Sequence, residues 1–183
     1  MGRQYGRLLS AEIRKMNTEI IRQYDLNKVI ILFTSFDGLD SSLLSFRSHY
    51  PLIYNLASPS GAYVYETTTY AVRRREPEKE GLLVGVNHFV DPSWPTLPTR
   101  NQDAVKNSEL RYNNLVALAE KNKGEINDVR MMSIMDVLIE DGGATPRDNN
   151  IYRFVAVPKI KRLWVKTPGY LGWTRIDLDA LFR

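Results

Sequence analysis

A continuous apolar run, Leu82-Leu83-Val84-Gly85-Val86, ends abruptly at Asn87-His88 and is closed by Asp91, Pro92 and Pro95. Unbroken apolar residues mark a strand covered on both faces, because a strand with one wet face alternates instead. Val84 and Val86 are therefore expected in a sheet buried on both sides, where Val86→Asp should unfold the chain. Asn87 and His88 are the first polar side chains at the end of that strand. A short polar group in such a place is held rigidly yet stays open to solvent, as a scaffold presents a reacting group. The plainer alternative is that Asn87 bonds a neighbouring loop and His88 is a satisfied, half-buried histidine.

The chain has 183 residues, 43% of them hydrophobic and 25% charged, enough for one domain with its own core. Its net charge is +4. The densest basic cluster, Arg73-Arg74-Arg75, is answered at once by Glu76, Glu78 and Glu80. A nucleic-acid face needs basic residues without such an answer, so no nucleic-acid partner is expected. Cys is absent and His occurs only at 49 and 88, which excludes disulfides, thiolate metal sites, histidine-rich metal sites and a cysteine nucleophile within this sequence. No cofactor or metal is expected. No run has the length of a signal-peptide core or a membrane span, so a cytoplasmic protein with no membrane partner is expected.

Along the chain, residues 1–26 read as an N-terminal helix, with Leu8, Leu9, Ile13, Met16, Ile20 and Ile21 at three- and four-residue spacing. Residues 27–90 read as strands. They begin with Val29-Ile30-Ile31-Leu32-Phe33 in a strand from Lys28 to Phe36, followed by an Asp37-Gly38 turn. A short helix through Leu43, Leu44 and Phe46, capped near Asp40-Ser41-Ser42, interrupts them. Leu52–Leu56 and Ala62–Tyr70 form a hairpin around Ser58-Pro59-Ser60-Gly61, and 71–75 follow as a further strand. Residues 91–106 form a long, proline-bearing loop of the kind that often carries function. Residues 107–140 form a helix pair, the first capped by Ser108 and the second opened by Asn127 or Asp128. Residues 151–178 close as a strand meander. Helices segregated from antiparallel strands give an α+β single domain over 1–183, its antiparallel sheets between helical layers.

Four segments in this order resemble the acyl-coenzyme A:6-aminopenicillanic-acid acyltransferase-like family. These are linear-amide C–N hydrolases, related to choloylglycine hydrolase within the N-terminal-nucleophile superfamily. The segments are Tyr54-Asn55-Leu56 with Ser60 to Glu66, then Gly85-Val86-Asn87-His88-Phe89. Ser108 to Leu115 with Gly124-Glu125-Ile126-Asn127 is the third, and Val157-Pro158 through Trp164 to Gly169-Tyr170 the fourth. Residues Gly2 to Met16 also resemble the helix found early in these precursors.

The resemblance implies an αββα, N-terminal-nucleophile-hydrolase-like fold and a small-molecule amide or acyl substrate. It implies a cysteine, exposed by self-cleavage, that uses its own α-amine as base, since an α-amine titrates near neutrality. By the same resemblance Asn87 is a catalytic residue that donates to the oxyanion or orients the nucleophile. Arg147 matches the family's site arginine, and His88 is a packing group. The sequence departs from the family where the nucleophile and its segment should lie, between the opening helix and the hairpin. Three readings follow: the chain is truncated, another chain supplies the segment, or the protein is a non-catalytic binding or structural relative on the same fold; a homo-oligomer is compatible with each. Hydroxyl nucleophiles at Thr34, Ser35, Ser41 or Ser42 would serve only after cleavage exposed their amine.

Overall fold

The computed structural model describes residues 35–45, 47–48, 51–77, 81–95, 101–148 and 150–178; the expected helix over 1–26 and the strand residues 27–34 lie outside them. The described residues form a mixed α+β structure with two separate antiparallel sheets, each of three strands in sequential order. The first sheet contains β1 (Leu52–Ala57), β2 (Ala62–Thr67) and β3 (Val72–Arg75), and the second β4 (Arg153–Val157), β5 (Arg162–Thr167) and β6 (Leu171–Asp177). Short turns join consecutive strands, which makes antiparallel neighbours the natural outcome. At the β1–β2 turn the Ser58 hydroxyl accepts from the amides of Ser60 and Gly61. Strand register pairs Tyr54 with Tyr65 and Asn55 with Val64.

Helix α1 spans Phe36–Ser45. It replaces both the end of the expected strand and the Asp37-Gly38 turn, and it begins several residues before the expected cap. The reason is local. The Ser35 hydroxyl accepts from the Gly38 amide, Asp37 complements the positive end of the helix, and Leu39 and Leu43 fall one turn apart. Those two leucines pack on Tyr65, with Tyr54, Leu56, Tyr63 and Val72 around them. Asp40 on the same helix accepts from the Tyr65 hydroxyl and pairs with Arg74. Burial and that hydrogen bond push the Tyr65 phenol far above its ordinary range.

Helix α2 spans Gln102–Lys121 and is capped by Asn101, whose side chain accepts from the Ala104 amide. Ser108 therefore lies inside the helix rather than at its start, buried at 1% exposure. Helix α3 spans Asp128–Asp136, capped by Asn127, one of the two expected cap residues; it ends earlier than expected, and a separate 3-10 turn, Ile139–Asp141, follows. Its last residue, Asp136, accepts from Arg153 Nη1, Lys166 Nζ and Trp173 Nε1, which ties α3 to the second sheet.

The expected strand over residues 82–90 is not formed. Residues 82–86 carry no ladder, and Val86 is half-buried while Val84 is buried. Side chains do what strand neighbours would have done. Arg75 Nη2 donates to the Val84 carbonyl, the Asn87 amide donates to Ser108 Oγ, and the Val90 and Asp91 amides donate to Glu66. A backbone whose polar groups are satisfied this way needs no ladder, and apolar content alone does not distinguish the two cases.

Candidate functional site

Segment 82–94 is held against the first sheet by one buried carboxylate. Glu66, on β2, has no exposed surface. Its Oε1 accepts from the Val90 amide at 2.8 Å, and its Oε2 from the Asp91 amide at 3.2 Å and Trp94 Nε1 at 2.7 Å. Arg75 Nε lies 2.9 Å from Oε1, but its N–H makes no hydrogen bond, so charge holds that pair. Phe89 stacks on Trp94 with ring centroids 4.8 Å apart, and Arg73 lies over the Trp94 ring. Gly85 permits a close approach that no side chain would allow: an added Cβ would stand 2.2 Å from Asn55 Oδ1 and 3.3 Å from Val64 Cγ2. Glycine and carboxylate together fix where Asn87 emerges.

Helix α2 fixes the Asn87 backbone and side chain from the other direction. Ser108 Oγ accepts the Asn87 amide at 2.9 Å and lies 2.9 Å from His88 Nδ1. Burial lowers the His88 pKa below 6.5, opposed by the charges of Glu109 and Glu66. The ring is therefore neutral at pH 7, and the Ser108 hydroxyl can donate to Nδ1 while it accepts from Asn87. A buried serine engaged in both directions on a helix is a fastener; the His88–Tyr112 edge contact, with centroids 6.0 Å apart, completes it. One helical turn on, Arg111 Nη2 donates to Asn87 Oδ1 at 2.8 Å, and Arg111 Nε donates to Asn107 Oδ1.

Asn87 is exposed at the mouth of a cleft of about 510 Å³, which is also lined by Ile53, Asn55, Arg111, Leu115, Met135 and Thr145. With Oδ1 engaged by Arg111, the Asn87 Nδ2 group has no hydrogen-bond partner among the described residues. Its orientation is set, and both its N–H bonds remain to be used. Asn55, Gly85 and Leu115 also line a second cleft of about 450 Å³, mostly apolar, which continues past Leu83, Ala119, Met131 and Phe154.

Arg147 is not brought to this site. It is exposed, pairs with Glu140 at 2.6 Å, and lies outside the cleft lining, which ends two residues earlier at Thr145. The loop before it is closed on itself. The Thr145 hydroxyl donates to the Met135 carbonyl, and Asn114 donates to the Gly143 carbonyl. The arginine beside Asn87 is Arg111, which in the sequence stands out only as a member of the helix segment Ser108 to Leu115. The available signal was the three-residue spacing from Ser108, which puts both side chains on one helix face.

Among the candidate hydroxyl nucleophiles, Ser35 caps α1. Ser41 and Ser42 lie within that helix, and Thr34 lies outside the described residues. Among the described residues no cluster of three or more acidic or histidine side chains could hold a metal ion. No described helix is long and apolar enough to cross a membrane. No family model matches the chain, and neither a curated protein nor a solved structure is detectably similar to it.

Proposed function

We propose that the Asn87 cleft is the site of a cytoplasmic linear-amide C–N hydrolase or acyltransferase of the αββα, N-terminal-nucleophile type. One observation carries this reading above the others. The Asn87 carboxamide has its oxygen fixed by Arg111 and its backbone fixed by Ser108, which leaves two free N–H donors at the mouth of a cleft. A preorganised neutral donor of this kind stabilises an amide carbonyl oxygen as it becomes an oxyanion, because it reorients little during the reaction. The Arg111 charge behind it polarises the carboxamide in the same direction.

In this mechanism the nucleophile is an N-terminal residue exposed by cleavage. Its α-amine takes the nucleophile's proton as the bond to the substrate carbonyl forms, and returns it to the amine that leaves. Water or a second amine then takes the acyl group. The sequence contains no cysteine, so within this chain that residue would be a serine or threonine. Arg147, joined to Glu140 on the surface, has no part in this reading.

The missing cysteine favours a second reading, in which the same cleft binds an acyl compound without chemistry. Turnover separates the two. A panel of N-acyl amino acids and acyl anilides should be hydrolysed by the protein. Asn87→Ala should lower kcat by about 10²–10³-fold, the range for loss of one oxyanion donor. No turnover, or an equal rate in Asn87→Ala, would remove the enzyme reading and leave the binding one.

A further inference from the structure

We infer that the polar Asn87–Arg111 cleft and the apolar cleft behind it form one binding site for an amphipathic carboxylate. The anionic head would lie on Arg111 and Asn87 Nδ2, and the aliphatic chain beside Leu83, Leu115, Ala119 and Met131. The inference rests on Asn87 marking a substrate site and names the substrate class, amides with an extended aliphatic acyl group whose hydrolysis releases such an acid.

Two independent observations support it. The first is electrostatic. Arg74, Arg75, Arg147 and Arg153 each hold a carboxylate. Arg111 is half-buried at the cleft and bonds only to the neutral side-chain oxygens of Asn87 and Asn107, with no carboxylate partner among the described residues. A guanidinium without counter-charge gains from an anion, and its planar fork matches a carboxylate in two parallel hydrogen bonds. The second is the shape. The two clefts share Asn55, Gly85 and Leu115, so the mostly apolar cleft adjoins the one that Arg111 and Asn87 line. Each volume, about 510 and 450 Å³, is in the range of small-molecule sites. A wholly polar ligand would leave the apolar part unused, and a wholly apolar one would leave Arg111 unanswered.

The test is calorimetric titration of the full chain with acetate, hexanoate, octanoate and decanoate, with sedimentation to follow its oligomeric state. Kd should fall with chain length, by about fourfold for each methylene that is fully buried. Arg111→Met should weaken every acid by about tenfold or more while keeping the dependence on length. Ala119→Phe, or Ala119→Leu as a milder filler, should flatten that dependence and leave short acids unaffected. Equal affinity for all the acids, an unchanged series in both Ala119 variants, or no effect of Arg111→Met would overturn the inference. So would a dimer that the long acids dissociate, since the groove would then hold a second copy of the chain. Because binding is read without turnover, a protein that binds these acids but hydrolyses no amide would remove the enzyme reading and leave this inference standing.

Discussion

Arg111 Nη2 donates to Asn87 Oδ1 at 2.8 Å, across 24 residues of chain, and so sets which end of the carboxamide faces the cleft. The relationship makes Asn87 a donor with a fixed direction and leaves Arg111 without a counter-charge. Asn87→Asp tests both consequences in one substitution of nearly unchanged size. The new carboxylate would pair with Arg111 near the surface, where such pairs contribute about 0–1 kcal/mol. Thermal stability should therefore stay the same or rise slightly. Turnover should fall about 10²–10³-fold, because both N–H donors are gone. A melting temperature that drops by many degrees would show that the pair holds the fold rather than the site.

The two valines of the apolar run should now part company. Val84 is buried, and its carbonyl accepts from Arg75. Val84→Asp puts a carboxylate where a buried apolar side chain packs, at a cost of several kcal/mol, and should unfold the chain. Val86 lines the cleft and is half-buried. Val86→Asp should melt cooperatively within about 1 kcal/mol of the parent. Circular dichroism melts of both variants decide it. Equal unfolding would restore the strand buried on both faces.

Glu66 should matter most to the position of the site. Glu66→Gln keeps the shape but removes the charge opposite Arg75, and it turns an amide donor toward groups that already donate. Breaking one partner of a buried pair costs about 3–5 kcal/mol. Urea denaturation should show a loss of that size, and hydrogen exchange at the Val90 and Asp91 amides should quicken. A loss below about 1 kcal/mol would mean that the loop holds its place without the carboxylate.

His88 gives a pH dependence whose sign is fixed by its burial. Its folded pKa lies below 6.5, so between that value and 6.5 the unfolded chain binds the extra proton. The contribution is complete above 6.5 and is lost as pH falls through the folded pKa. The melting temperature should therefore decline as pH falls from 7 through 6.5 toward the lower folded pKa, and His88→Gln should reduce that decline. An identical decline in both proteins would assign it to other groups.

Much of the local structure was legible because its causes are local. The Ser58–Gly61 turn and the alternation on either side place β1 and β2, the strand alternation over 151–178 places the closing meander, and of the two cap candidates Asn127 and Asp128 it is Asn127 that caps. The errors occur where two residues competed for one role. Asn101 and Ser108 could both cap a helix; Asn101 does, and the Ser108 hydroxyl is taken by Asn87 and His88. Asp37-Gly38 reads as a turn until Leu39 and Leu43 find Tyr65 to pack against.

The amino-acid order by itself determined the α+β character, the antiparallel hairpins and the emergence of Asn87 at the end of an apolar run. Alternation, turn chemistry and capping act over a few residues and need no distant partner. Only the tertiary structure decided that the run would lie across a sheet without joining it, and that Arg111 rather than Arg147 would meet Asn87. Those outcomes depend on which buried polar group reaches which partner across 20 or more residues, a contest settled by packing.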